Sequence, residues 1–558
     1  MELKSIEKID NAMTFTRQDR VKLSIGLLFI MMIMIMVSLS GNSSPTILII
    51  AAMIGGYMAM NIGANDVANN VGPAVGSGAV TLMGAIIIAA IFEAAGALIA
   101  GGDVVGTIKK GIIDPAGIDA KTFVWLMMAA LLSAAIWLNL ATAVGAPVST
   151  THSIVGGVMG AGIAAAGWAA VNWPKMGQIA ASWVISPVLG GLIAAAVLYF
   201  IKTQIIYKEN KVASAQKTVP FLISLMALAF VTYLTLKGLK KVWPNIVEFI
   251  NNVSYDAETK VYAVTEASRE IFPLASKPSL FIALILGSIV AVIVFIYVKR
   301  YIDQKASTLH NNRDAINSLF TIPLIFAAAL LSFAHGANDV ANAVGPLAAI
   351  NDALSTGIMS KDNQVEIPLW VMLIGAIGIS IGLALYGPKL IRTVGSEITE
   401  LDRMRAFAIA MAAAITVIIA SQLALPVSST HIAVGGVFGV GLLREFLNNR
   451  DIKDQDALKL ATMKESHEGI EEFINRFKDA SQHEKEQMLK SVKNKDSVNS
   501  KELNLDKKER KMLKKVFKQE LVKRSALKKI IAAWIITVPA AATLSAALFF
   551  MIRGYMLP

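Results

Sequence analysis

The chain has 558 residues, 55% of them hydrophobic and 16% charged, with a mean hydropathy of +0.58 and a net charge of +12. A soluble domain carries roughly a quarter charged residues, so this composition excludes both disorder and an ordinary soluble fold. Cysteine is absent, which excludes disulfides, thiolate metal sites and a cysteine nucleophile.

The apolar residues fall into stretches of about 17 to 25, the length a helix needs to cross a hydrocarbon core about 30 Å thick. The chain therefore reads as an all-α polytopic membrane protein. Residues 1–45 hold a polar leader and an extra span at 21–40. Arg17, Arg20 and Lys22 precede that span, and Glu2, Glu7, Asp10 and Asp19 mix with them, so it reads as an uncleaved helix rather than a secretory signal. Its Met-rich run 31–36 reads as lipid-facing. A first repeat, 46–205, contains spans at 46–62, 79–101, 122–144, 153–171 and 178–201. Connecting spans at 219–237 and 279–299 lie in 206–317. A second repeat, 318–443, holds spans at 318–335, 366–388, 404–424 and 430–443, and 530–558 carries the last span. Several are short or broken by Gly and Pro, which gives roughly 11 to 13 membrane segments.

Cytoplasmic loops are enriched in Lys and Arg. Connection 202–218 carries Lys202, Lys208, Lys211 and Lys217, and 299–313 carries Lys299, Arg300, Lys305 and Arg313. Both are expected inside, with loop 238–278 outside. The block 444–529 has 23 Lys and Arg against 16 Asp and Glu. With Ile470, Phe473, Ile474 and Phe477 at helical spacing, it reads as a cytoplasmic helical insert, either lying on anionic lipid or simply solvated.

An internal repeat carries the functional information. GANDVAN occurs at 63–69 and at 336–342, each followed closely by Val-Gly-Pro. PVSTTHSIVGGVMG at 147–160 is matched by PVSSTHIAVGGVFG at 426–439. In the first motif Asn65, Asp66, Asn69 and Asn70 stand at bilayer depth, where a carboxylate costs several kcal/mol unless it is paired or lines a wet cavity. Gly63 and Gly72-Pro73 are expected to break the helix. Asn65 with Asn69, and Asp66 with Asn70, are expected to share faces. Such oxygens suit a hard cation such as Na⁺; Asn338, Asp339 and Asn342 are the second set, with Ala343 in place of Asn70.

The second motif has the opposite electrostatic sense. Pro147 and Pro426 stop a preceding helix, and Ser149, Thr150 and Thr151, or Ser428, Ser429 and Thr430, stand where a new one starts. A helix N-terminus with flanking hydroxyls is an anion site without any Lys or Arg. Neither motif holds a basic residue that would retain the anion, which favours transport over storage. His152 and His431 match between copies and are expected to make structural hydrogen bonds. Together with Glu93, aligned with Ala384, they are also the candidates for proton coupling. The Gly-Gly pairs at 156–157 and 435–436 suit close helix packing.

On these motifs the sequence resembles the inorganic phosphate transporter family, the PiT permeases, across about 46–443 plus the last span. The resemblance implies two homologous inverted repeats with broken helices and re-entrant hairpins. It also implies alternating access and import of phosphate coupled to Na⁺ or H⁺, with Na⁺ favoured, in a multi-pass cell membrane protein of bacterial inner-membrane type. By the same resemblance Asp66, Asp339, Ser149, Thr150, Thr151, Ser428, Ser429 and Thr430 would hold phosphate. Asn65, Asp66, Asn69, Asn338, Asp339 and Asn342 would serve the cation. No cofactor beyond the coupling ion, no resident metal and no nucleic-acid partner are expected; a homodimer is an open alternative to the monomer. Sulfate is the alternative substrate, and an anion channel or a transport-derived receptor the alternative class. An enzyme is not expected, since no Walker A loop, nucleophile elbow or HExxH motif occurs.

Overall fold

The computed structural model describes residues 17–39, 45–356, 367–462 and 524–556, apart from 116, 145–147, 241, 398–400 and short stretches within 257–272. The first 16 leader residues, Pro147 and the 470–477 pattern lie outside the described residues. The chain divides into a large unit, 1–437 with 525–558, and a second, 438–524. Within the latter, the described part is the helix that continues from the second motif to Thr462.

The regular elements among the described residues are helices, apart from a two-stranded antiparallel hairpin, β1 (Ser254–Asp256) and β2 (Val261–Ala263). Among the described residues, twelve helical segments are long and apolar enough to cross a membrane. In chain order the helices are α1 (Arg17–Ser38), α2 (Pro45–Asn65), α3 (Val67–Gly76), α4 (Leu82–Ala100), α5 (Gly102–Lys110), α6 (Ala120–Val144), α7 (Thr150–Ala166) and α8 (Trp173–Ile201). There follow α9 (Lys211–Gly238), α10 (Trp243–Asn251), α11 (Leu280–Ala306), α12 (Arg313–Leu319), α13 (Thr321–Asp339), α14 (Ala341–Thr356), α15 (Leu369–Glu397), α16 (Arg403–Gln422), α17 (Ser429–Thr462) and α18 (Arg524–Met556).

The repeat in sequence is a repeat in packing, and the halves interlock. Helix α2 crosses α15 so closely that a Cβ on Gly63 would fall 1.9 Å from Ile379 O, and one on Gly382 1.9 Å from Met60 O. Equivalently, α13 crosses α4, where a Cβ on Gly336 would meet Glu93 O at 2.1 Å and one on Gly96 would meet Phe333 O at 1.9 Å. No other residue fits at such backbone contacts, where small side chains let helices approach. The crossings also fix the alignment of the halves. Glu93 is equivalent to Ile379, not to Ala384, because the segments joining motif to crossing helix differ in length.

The extra span belongs to the first crossing. Phe29 and Ile33 of α1 pack against Gly56 of α2 and are buried, while Met31, Met32 and Met34 are exposed. The expected span 153–171 is shorter and earlier, as α7. It forms a hairpin with α6 whose two ends meet. Asp114 N donates to Ala170 O at 2.8 Å and Asn172 N to Ile112 O at 2.9 Å. The second hairpin, α16 with α17, turns through Ala424 at φ 51, the left-handed position that ends many helices, with Leu425 N bonded back to Ala420 O at 3.0 Å.

Candidate functional site

Each GANDVAN helix breaks, but at the acid rather than at the Gly-Pro expected. Helix α2 ends at Asn65 and α3 starts at Val67, while Pro73 lies inside α3. Likewise α13 ends at Asp339 and α14 starts at Ala341, with Pro346 inside. Part of the backbone bonding lost at the first break is recovered by side chains, since Asn69 Nδ2 donates to Asp66 O at 3.1 Å.

The break separates the asparagines that were expected to share a face. Asn65 Nδ2 donates to Thr142 Oγ1 at 2.9 Å and its Oδ1 accepts from Val148 N at 3.2 Å. Asn338 repeats this with Ser421 Oγ at 3.1 Å and Val427 N at 3.3 Å. These two asparagines tie each broken helix to the hairpin tip of its own half. Asn69 and Asn342 reach instead across the halves. Asn69 Nδ2 bonds Thr430 Oγ1 at 2.8 Å, and Asn342 Nδ2 bonds Thr150 Oγ1 at 3.1 Å and Thr151 Oγ1 at 3.2 Å.

The hairpin tips supply hydroxyls at helix N-termini, as expected. Ser149 and Ser428 are the caps, accepting from His152 N at 3.1 Å and His431 N at 3.2 Å. That role uses each serine oxygen as an acceptor and leaves its O–H as a donor. Thr150 and Thr430 point to the acids instead. Thr150 Oγ1 donates to Asp66 Oδ2 at 2.6 Å, and Thr430 Oγ1 to Asp66 Oδ1 at 2.8 Å. Ser429 Oγ stands 3.4 Å from Asp339 Oδ2, and Thr151 Oγ1 donates to Val427 O of the other tip at 2.9 Å. All of these residues are buried; Asp66 is 1% and Asp339 0% exposed. Asn69 Oδ1, Asn342 Oδ1 and Asp339 Oδ1 accept no hydrogen bond among the described residues.

His335 was not anticipated from the sequence. It sits one residue before the second GANDVAN, outside the repeated heptapeptide, and its counterpart is Ile62. Its Nε2 lies 3.0 Å from Asp339 Oδ2 and its Nδ1 2.7 Å from Glu93 Oε2, while Asn70 Nδ2 donates to Glu93 Oε1 at 2.8 Å. One ligand atom each of Asp66, His335 and Asp339 lies within 4.8 Å of the other two. The equivalents of Asn70, Glu93 and His335 in the other half are Ala343, Ile379 and Ile62, so this polar chain exists on one side only. The i, i+4 spacing of His335 and Asp339 was the available signal.

His152 and His431 depart from expectation. Their rings pack on each other and on tryptophans, and apart from a weak contact of His152 with the Trp534 backbone no ring nitrogen reaches a hydrogen-bond partner among the described residues.

With the geometry in view, the chain can be compared with known proteins. Residues 62–545 match the model of the phosphate transporter family. A Helicobacter pylori protein that carries the name "Putative phosphate permease" is 51% identical over 98% of both chains, and a Chlamydia trachomatis protein of the same name is 37% identical over 73% of this chain and 93% of its own. A solved structure described as "The sodium-dependent phosphate transporter" is 32% identical, covers 92% of this chain and 100% of its own, and superposes with a TM-score of 0.68. The chain belongs to the phosphate transporter family and is a multi-pass membrane transporter, not an enzyme.

Proposed function

We propose that the chain imports inorganic phosphate together with Na⁺, at a site where the two hairpin tips meet the two broken helices. One observation carries this reading: Asp66 accepts hydroxyls from both tips, Thr150 at 2.6 Å and Thr430 at 2.8 Å. Helices α7 and α17 thus aim their N-termini at one place, and N-termini with flanking hydroxyls bind oxyanions. Phosphate near neutral pH keeps at least one P–OH, which can donate to Asp66 or Asp339; the O–H groups of Ser149 and Ser428, which act in the caps only as acceptors, and those of Thr150, Thr151, Ser429 and Thr430, once turned from their present acceptors, donate to its other oxygens.

The cation follows from charge. Two carboxylates this close and this buried need compensation; among the described residues no Lys or Arg pairs with either, and the one basic neighbour, His335, is shared between Asp339 and Glu93. The unbonded oxygens of Asn69, Asn342 and Asp339 form a hard-ligand set that suits Na⁺. Asn65 and Asn338 are read first as ties, because a backbone amide takes one lone pair of each side-chain oxygen and only the second remains for a cation. The sodium-dependent relative supports the same coupling ion. Proton coupling is the second reading, favoured by the one-sided chain Glu93–His335–Asp339.

The repeats are read as inverted. From the start of α2 to the start of α13 the chain crosses with α2–α3, α4, α8, α9 and α11, whereas the α6–α7 hairpin returns to the side where it began. That odd number of crossings turns the second repeat over.

Uptake of labelled phosphate by purified protein in liposomes, with Na⁺ and pH gradients imposed separately, tests the reading. Saturable uptake driven by Na⁺ alone is expected; uptake driven only by a pH gradient transfers the assignment to H⁺. Sulfate offers only acceptors to a carboxylate, and mismatched buried polar groups discriminate strongly. Phosphate should be preferred by about tenfold or more, roughly 1.4 kcal/mol, and equal competition by sulfate overturns the substrate.

A further inference from the structure

The two hairpin tips touch through their equivalent histidines. The rings of His152 and His431 meet edge to face, 4.4 Å apart at 89°, and each is covered from behind by an indole. Trp183 lies 3.8 Å from His152, and Trp534 lies 3.6 Å from His431 at 27°. The four rings form one continuous row of contacts from α8 through α7 and α17 to α18, tilted at 44° between Trp183 and His152, edge to face between the histidines and stacked at the far end. T-shaped and stacked rings at such separations attract beyond their area burial, and an imidazole edge against a ring face needs no hydrogen-bond acceptor.

The helices that carry the tryptophans each hold both tips. Helix α8 presses on α17, where a Cβ on Gly435 would meet Pro187 O at 2.2 Å, while its Trp183 covers His152 of α7 and donates from Nε1 to Pro426 O at 3.3 Å. Helix α18 presses on α7, where a Cβ on Gly160 would meet Ala542 O at 2.2 Å, while its Trp534 stacks on His431 of α17. Thr151 Oγ1 adds a bond to Val427 O. Parting the tips would therefore disrupt both outer helices at once.

We propose that the Trp183–His152–His431–Trp534 row is a latch that keeps the two tips paired throughout the transport cycle, so that the phosphate hydroxyls of both halves stay in register while other helices rearrange around them. His152 and His431 are positioning residues. Each lies in the first turn that its serine caps, one or two residues after the hydroxyls aimed at the acids, so displacing a ring displaces those hydroxyls. This rests on the phosphate reading of the site.

The absence of cysteine in the natural chain makes the test clean. His152→Cys/His431→Cys is prepared in liposomes and bridged with Cd²⁺, a soft cation that two thiolates hold, with the unaltered chain and both single variants as controls. Without Cd²⁺ the double variant should show a phosphate KM raised about tenfold with turnover within about threefold. Cd²⁺ should protect both thiols from maleimide, bring KM back toward the unaltered value and leave turnover running. In parallel, His152→Phe should keep KM within about threefold of the unaltered chain where His152→Ala raises it about tenfold.

Arrest of uptake on bridging would mean that the tips must part, and would overturn the latch. So would an unprotected pair of thiols, a KM that bridging leaves high, or a phenylalanine variant as weak as the alanine one. Failure of the unaltered chain to take up phosphate would instead fail the substrate reading.

Discussion

Asp66 has both carboxylate oxygens bonded by hydroxyls from opposite halves of the chain. An asparagine there could satisfy one hydroxyl through its oxygen but would turn an N–H toward the other, and it would remove the charge that a cation balances. Asp66→Asn is expected to cut coupled phosphate uptake by about a hundredfold or more, equivalent to about 2.7 kcal/mol, and Asp339→Asn likewise. Thermal unfolding in detergent should change little, since neutralising a buried charge relieves its desolvation cost. Unaltered uptake by either variant would remove the carboxylates from the site. These two acids were legible in the sequence because a carboxylate at bilayer depth is too costly to stand in both copies of a repeat without a role. Of the chain Asn70–Glu93–His335, Asn70 and Glu93 stood out as polar groups within spans, but His335 and the link between the three did not, because the second copy departs from the first at every one of these positions. A repeat directs attention to what matches, and here the polar groups stand where the halves differ.

Helices were legible as apolar stretches, but their breaks and crossings were not. Pro73 and Pro346 sit inside helices, whereas the turns fall at Asp66 and after Asp339, where polar contacts from the other half are available. Backbone contact at Gly63 leaves no flexible side chain to yield to a Cβ. Gly63→Ala should therefore destabilise by roughly 3 kcal/mol, the upper end of overpacking costs, while Gly106→Ala in α5, where a Cβ meets nothing within 4 Å, should be neutral or stabilising. Thermal unfolding of both variants checks this, and equal midpoints would disprove the tight crossing. A second element contact is pH-dependent. Burial opposes the charge of Asp103 on α5, but hydrogen bonds from Lys237 and from Lys240, the latter at 2.9 Å, outweigh it and hold the carboxyl below its usual range. A carboxyl lowered on folding stabilises above its unfolded value of about 4 and loses that contribution as the pH falls through the lowered one. Asp103→Asn should cost about 1 kcal/mol at pH 7 and less at pH 3, where the unfolded carboxyl is already largely protonated. A loss of the same size at both values would show that the pairs do not act through charge.

At the scale of the whole molecule the two repeats are interleaved rather than side by side: α2 of one half crosses α15 of the other, and α13 crosses α4. Such an exchange is what a two-fold relation between the halves produces, and it would hold for either orientation of that axis. Orientation depends on how many times the chain crosses between the repeats, and the α6–α7 hairpin decides the parity. Its ends are joined by the backbone bonds of Asp114 with Ala170 and of Asn172 with Ile112, so it returns to the side it left whatever depth its tip reaches. Five crossings then separate the start of α2 from the start of α13. Leu39, 82% exposed just before α2, should lie outside, and Thr308, exposed just after α11 and ahead of α12 and α13, should lie inside beside Lys299, Arg300 and Lys305, as the enrichment of cytoplasmic loops in basic residues requires. In this cysteine-free chain Leu39→Cys and Thr308→Cys can be read one at a time with a membrane-impermeant maleimide. Intact cells should label Leu39→Cys, and Thr308→Cys should label only after permeabilisation. Phe249→Cys, on the 90% exposed residue of α10, serves as a second outside marker. Labelling of both Leu39→Cys and Thr308→Cys from the same side would mean that the repeats run parallel, and the two anion-facing helix ends would then have to meet by some path other than inversion.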